Sequence, residues 1–148
     1  MSEPDYDDPK VEEQWCTEMR EQVVHYLSAE KVPHGQVGEW PAWHAAPMVS
    51  IWAIESSVEP GWVGLWVIAG DLPTDYCSAE TIKHPRDALR AIVGRWREYA
   101  AAIRSGSDAK DMEVQGLEDN PEEMLPMLES RAATLARWAE DDSIWEDL

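Results

Sequence analysis

The chain contains no phenylalanine, two cysteines and few cations, and each shortage removes a class of protein. Cys16 and Cys77 share no C-x-x-C spacing, so they cannot build a disulfide framework, and reduced thiols in a cytoplasmic setting are expected. Twelve Lys and Arg stand against thirty Asp and Glu, a formal charge of −18. Such a balance argues against binding nucleic acid through its phosphates, which takes basic patches, and disfavours docking on anionic membrane surfaces. No apolar run approaches the ~20 residues of a membrane span, and the acidic start lacks the apolar stretch of a secretory signal. Absent too are the P-loop, the dinucleotide glycine fingerprint, G-x-S-x-G, H-E-x-x-H and the EF-hand loop. Catalysis is therefore not the favoured expectation, and neither a metal nor a cofactor is expected.

What remains is a chain of 148 residues, 44% hydrophobic, with nine tryptophans. That length suits a single domain with a real core. Its expected parts are an acidic tail over 1–8, an acidic linker over 105–119, a C-terminal helix over 120–140 and an acidic tail over 141–148. Charge of this sign favours encounter with basic partners.

The organising stretch is 48–76. Met48–Ser56 and Trp62–Ala69 are rich in Val, Ile and Trp, and Pro60-Gly61 between them suits a type II turn. A central hairpin over 48–69 is predicted. If Ser56 faces Trp62, then Trp52 faces Trp66, Ile54 faces Gly64, and the tryptophans line one face. Val49, Ile51, Ala53, Val63, Leu65 and Val67 would line the other. Both faces are apolar, so both need cover unless the Trp face is a binding surface. Gly64 on that face either admits another backbone or a ligand, or makes room for an indole.

Helices flank the hairpin. Asp8-Pro9 opens one whose face carries Val11, Trp15, Met19, Val23, Tyr26 and Leu27. Pro85 opens a second, with Leu89, Ile92, Val93, Trp96, Ala100 and Ile103 as its stripe. Arg86, Arg90, Arg97 and Arg104 lie beside that stripe within about 40° of one another. They would either hold an anionic ligand or pair with the chain's own carboxylates. Asn120-Pro121 starts a third helix, with Pro126 expected to kink or split it. The ending around Ile144, Trp145 and Leu148 would dock a partner or fold back. The fold class is accordingly α+β: a small antiparallel sheet of about three strands packed by three main helices.

Candidate functional residues cluster near the hairpin. The segment 32–47 reads as a loop yet carries Trp40, Trp43, His34 and His44. The segment Asp71–Tyr76 reads as an acidic loop, and a short third strand is expected over Asp75–Ile82. Asp and Thr beside Pro are ordinary turn residues, but at the end of a buried strand they would also suit a site. Trp40, Trp43, His44, Trp52, Trp66, Asp71, Asp75, Tyr76 and Arg86 are the candidate binding residues. The runs WPAWHAAPMVSIWAIES, GWVGLWVIAGDLPTDY and HPRDALR, with Trp96 following, resemble a family of short bacterial proteins classed only as a domain of unknown function. That resemblance implies a small soluble protein and carries no catalytic residues. The expected function is a non-catalytic binding or adaptor domain with a Trp-rich surface for a protein or small ligand. The alternatives are an acidic, immunity-like inhibitor of a basic protein and a small enzyme at the Asp71–Tyr76 loop.

Overall fold

Helix α1, Pro9–Ala29, begins where the Asp8 side chain accepts the Lys10 N–H at 3.0 Å and Pro9 takes the first helical position. Both features suit a helix start, where the first N–H groups lack partners. The apolar spacing buries Trp15, Cys16, Met19, Val23, Tyr26 and Leu27. At the far end Lys31 adopts φ +54°. Its N–H bonds the Ser28 carbonyl at 3.2 Å, and the Val32 N–H bonds the Leu27 carbonyl at 3.0 Å. This is a Schellman ending with lysine where glycine is usual. The computed structural model describes residues 4–106 and 121–146. The first three residues of the expected acidic tail, the expected linker beyond 106, the Asn120 cap and residues 147–148 lie outside them.

Four strands follow as an antiparallel meander: β1 (Trp43–Ala45), β2 (Val49–Glu55), β3 (Val63–Gly70) and β4 (Leu72–Ser78). This is one strand more than the sequence suggests. β1 is three residues long and lies between Pro41 and Pro47, which is why 32–47 reads as loop. Residues 35–38 also run along β2, with the Gly35 N–H on the Glu55 carbonyl at 2.8 Å and the Gly38 N–H on the Ala53 carbonyl at 3.2 Å. β4 starts at Leu72, so the expected acidic loop is mostly strand and only Asp71 forms its turn. Pro73 is accommodated because β4 is an edge strand whose register shifts opposite the Ile68–Gly70 step.

The hairpin carries the main correction. Gly61 has φ +88° and the Trp62 N–H bonds the Glu59 carbonyl at 3.1 Å, matching the type II turn expected of Pro60-Gly61. Ser56 does face Trp62, N–H to carbonyl at 2.8 Å. Then Glu55 pairs with Val63 but Ile54 pairs with Leu65, leaving Gly64 as an extra residue in β3. Beyond this bulge every pair is displaced by one. Trp52 lies opposite Val67 rather than Trp66, and Ile54 opposite Leu65 rather than Gly64. Because side chains alternate along a strand, the single insertion sends Trp52 and Trp66 to opposite faces. Only glycine fits there, since a Cβ would stand 2.6 Å from the Ser56 Cα.

Both faces of the sheet are covered, as two-sided apolar strands require. On one side α1 packs over Trp52, Ile54, Leu65, Val67, Ala69 and Tyr76. On the other, α2 (Pro85–Arg104) and α3 (Pro121–Ala139) pack over Val49, Ile51, Trp66 and Ile68. The result is an α+β fold with the sheet as its middle layer. Trp52 and Trp96, one per core, are fully buried. Each contributes about 4–6 kcal/mol of gross apolar burial, and each indole N–H has an acceptor. Trp52 donates to the Ser50 Oγ at 2.9 Å and Trp96 to Asp75 at 2.9 Å.

Helix α2 starts with the His84 ring accepting the Arg86 N–H at 3.0 Å and buries Leu89, Ile92, Val93, Trp96 and Ala100 from its expected stripe. α3 runs unbroken through an exposed Pro126 instead of splitting into two helices. A 3-10 turn at Asp142–Ile144 then brings Trp145 back onto the core. Trp145 is 5% exposed, donates to the Trp138 carbonyl at 3.0 Å and lies 4.6 Å from the Trp43 ring. Of the two readings of the ending, the fold-back is the one adopted up to Trp145. Among the described residues no helix is long and apolar enough to cross a membrane.

Candidate functional site

The nine candidate residues are dispersed over the fold. His44 faces α1, with Nε2 3.5 Å from a Glu12 carboxylate oxygen and Trp40 edge-on at 5.5 Å. Trp43, the next residue back, faces the opposite layer and packs on Trp138 and Trp145. Trp52 and Trp66 are both buried, in different cores, the latter donating to the Ile82 carbonyl at 2.9 Å. Asp71 is exposed at the β3–β4 turn and bonded to Arg131 at 2.8 Å. Tyr76 faces α1 and meets Tyr26 edge-on at 6.1 Å. Arg86 donates to the Ala139 carbonyl and to Asp142, both at 2.6 Å. β1 and β4 are the two outer strands, so His44 and the pair Asp75–Tyr76 are separated by roughly three strand spacings of ~4.8 Å. Asp71 lies nearer, its N–H on the Met48 carbonyl at 2.9 Å, with its side chain held by Arg131. The expected enzyme constellation is not assembled.

Most of the arginine stripe serves the fold. Besides Arg86, Arg90 binds Glu140 at 2.9 Å and Asp87 at 3.1 Å, and Arg104 forks onto both oxygens of Glu129. These contacts tie α2 to α3 and its C-terminal turn. The carboxyls of Glu129 and Glu140 lie below their ordinary range because an arginine hydrogen-bonds each one.

Asp75 is a buried carboxylate, 5% exposed. Its Oδ2 accepts from Arg95 at 2.6 Å and from the Trp96 indole at 2.9 Å, and its Oδ1 from the Tyr76 N–H at 2.9 Å. Arg95 also donates to the Tyr76 carbonyl at 2.6 Å, while its buried Nε has no acceptor among the described residues. The sequence reading missed Arg95, which lies off the four-arginine stripe. No sequence signal marks the pair, because Asp75 lies in a turn-like run, LPTDYCS, and only its burial requires a cation nearby. Around this pair the Cys77 thiol is pushed up to about 11 and the Tyr26 phenol is also raised, in both cases mainly by burial. Cys16 is raised to about 11 for the same reason. None of these groups is poised as a nucleophile. Among the described residues no group of three His, Cys, Asp or Glu side chains is placed to hold a metal ion.

A different place has the form of a binding site. At the turn end of the β2–β3 hairpin lies a cleft of about 320 Å³ lined by Gln36, Val37, Gly38, Glu39, Ala53, Glu55, Gly61, Trp62 and Val63. Trp62 is 68% exposed, and Val58 and Val63 stand exposed beside it. Glu55 is fixed in the cleft: Oε1 accepts the Gln36 N–H at 3.0 Å and Oε2 the Gly61 N–H at 2.9 Å. Those two hydrogen bonds hold its carboxyl below the usual glutamate range. Gly35 lets the carboxylate sit so close, because any Cβ there would strike the Glu55 side chain. Sequence reasoning places Trp62 on the Trp-rich hairpin face, a face either covered or used for binding, but does not single it out as a site residue, and it passes over Glu55. The signal was a glutamate ending an otherwise apolar strand just ahead of the turn. A second hollow, about 290 Å³, lies between the N-terminal segment and α1, against Tyr6, Val11 and Trp15.

Comparison with known proteins adds the family. The chain belongs to the family described as "Domain of unknown function (DUF4826)", whose model matches residues 10–145. No curated protein and no solved structure matches the chain significantly.

Proposed function

We propose that this chain is a non-catalytic binding module that docks a partner protein at the turn end of the β2–β3 hairpin. One observation supports this reading above the rest. Trp62 is the most exposed of the nine indoles, at 68%, and it borders a shallow, open cleft. A solvent-facing tryptophan leaves much apolar area unburied, and such residues carry a disproportionate share of binding energy at protein interfaces. This reading rests on the single indole at the hairpin tip in place of the Trp-rich sheet face anticipated from the sequence. A reducing, cytoplasmic setting accords with two free cysteines, and the charge of −18 speaks against a nucleic acid partner.

Affinity capture from the source cells tests the reading. Immobilised wild type, Trp62→Asp and a control, Val24→Asp on the outer side of α1, are compared. A protein retained by wild type and the control but lost with Trp62→Asp is the expected result, with direct binding then confirmed on purified components. Identical retention by all three variants would sink it.

Inhibition of a basic protein is the second reading. Arginines of α2 and α3 are paired with carboxylates, whereas Glu13, Glu18 and Glu21 stand exposed along α1. Binding that weakens steeply with salt and with charge reversal of those three glutamates would favour this reading over the hairpin site.

A further inference from the structure

We propose that the hairpin cleft receives the guanidinium of an arginine on an exposed segment of the partner protein. The inference rests on the docking reading above and gives its site a chemistry. The cleft combines two groups that together suit an arginine. Trp62 offers an exposed indole face, and Glu55 offers a carboxylate fixed by two backbone N–H groups. Each Glu55 oxygen accepts one of those hydrogen bonds and keeps a second lone pair for a ligand. Glu39, exposed on the opposite wall, adds another negative charge. No Lys or Arg lines the cleft, and Arg20 reaches its wall only by donating to the Val37 and Gly38 carbonyls at 3.0 Å. The cleft is therefore anionic and aromatic, with no internal cation to neutralise it.

Arginine fits this combination better than lysine does. Its planar guanidinium stacks on an indole, meets a carboxylate with two parallel N–H groups and is more weakly hydrated than an ammonium. A volume of about 320 Å³ is at the small end for ligand sites and has room for one arginine side chain. The apolar rim of Val58 and Val63 extends beyond the cleft, which a protein surface would cover and a free amino acid would not. The net charge of −18 then speeds the approach of a basic partner.

Short blocked peptides test the chemistry without the partner in hand: acetyl-Gly-Arg-Gly-amide, and its lysine and citrulline counterparts. The indole N–H signal of Trp62, assigned as the one lost in Trp62→Leu, is followed by NMR at low salt during titration. The arginine peptide is expected to shift that signal together with the Gln36 and Gly61 amides, the lysine peptide to bind more weakly, and neutral citrulline to leave all three unmoved. Glu39→Gln and Trp62→Leu, both exposed and outside the core, should each weaken binding by about three- to fivefold. No shift with the arginine peptide at millimolar concentration, or equal shifts with citrulline, overturns the proposal. A captured partner that depends on Trp62 while the arginine peptide fails to bind would retain the docking reading and sink only this inference. A partner indifferent to Trp62 would sink the docking reading itself, whatever the peptides do.

Discussion

Replacing Asp75 with alanine removes the acceptor on which a buried network closes. The Trp96 indole N–H in the core then loses its acceptor, the Arg95 guanidinium loses its carboxylate and keeps only the Tyr76 carbonyl, and the Tyr76 N–H loses its Oδ1 contact. A buried donor left without an acceptor costs about 1–3 kcal/mol, and loss of one partner of a buried ion pair about 3–5 kcal/mol. Arg95 is 37% exposed and keeps the Tyr76 carbonyl, so water re-solvates much of the orphaned cation and its share falls to about 1–2 kcal/mol. The expected loss is about 3 kcal/mol, a large share of the 5–15 kcal/mol typical of a folded protein. Asp75→Asn keeps one acceptor oxygen and should lose about half as much. Urea unfolding followed by tryptophan fluorescence measures this directly. With a slope near 2 kcal/mol/M the midpoint of Asp75→Ala falls by about 1.5 M, the slope unchanged. The double mutant Asp75→Asn/Arg95→Met should be less destabilised than the sum of its singles, because the second change removes the unpaired cation. A midpoint shift below about 0.3 M for Asp75→Ala, or strict additivity in the cycle, would refute the reasoning.

Three other perturbations follow from features of the fold. Lys31→Gly relieves the positive φ at the end of α1 and should stabilise by about 0.5–1 kcal/mol, raising Tm by a few degrees; an unchanged or lower Tm would count against strain there. With both thiols pushed up to about 11, only about a thousandth is thiolate at pH 8, against about a quarter for a free cysteine. Iodoacetamide should therefore label the folded protein far more slowly than the urea-unfolded chain, and equal rates would contradict the burial. The carboxyls of Glu55, Glu129 and Glu140 lie below the ordinary 4.5 in the folded state, so the unfolded chain takes up their protons first. Their stabilisation is complete above pH 4.5 and declines as pH falls below it. Glu55→Gln, Glu129→Gln and Glu140→Gln should each flatten that acid decline in urea midpoints, and parallel curves would argue that these contacts contribute nothing.

What the sequence revealed follows from how each feature is encoded. Helical stripes such as Leu89–Ile92–Val93–Trp96 repeat, and repetition is visible without a structure. The type II turn was legible because Pro60-Gly61 fixes two backbone angles locally. The hairpin register was not, because an extra residue at Gly64 changes no composition and no pattern until pairing is known. That one residue also dissolved the expected Trp52–Trp66 face, and the candidate site with it. β1 was hidden by brevity and by the prolines around it. The pairing of Asp75 with Arg95 and the seat of Glu55 depend on contacts between distant segments, which spacing along one helix or strand cannot display.

The network at Asp75 has one more consequence, for how the molecule behaves among copies of itself. Tyr76 lies on an outer strand, where unpaired N–H and C=O groups would template a neighbouring strand. Here its N–H is bonded by the Asp75 carboxylate and its C=O by Arg95, and Pro73 nearby has no N–H to offer. At Tyr76 the border of the sheet is closed by the side chains of Asp75 and Arg95. Breaking that seal would do more than lower stability: it would expose a strand edge on which chains could stack, so concentrated Asp75→Ala protein should aggregate under conditions where wild type stays dispersed.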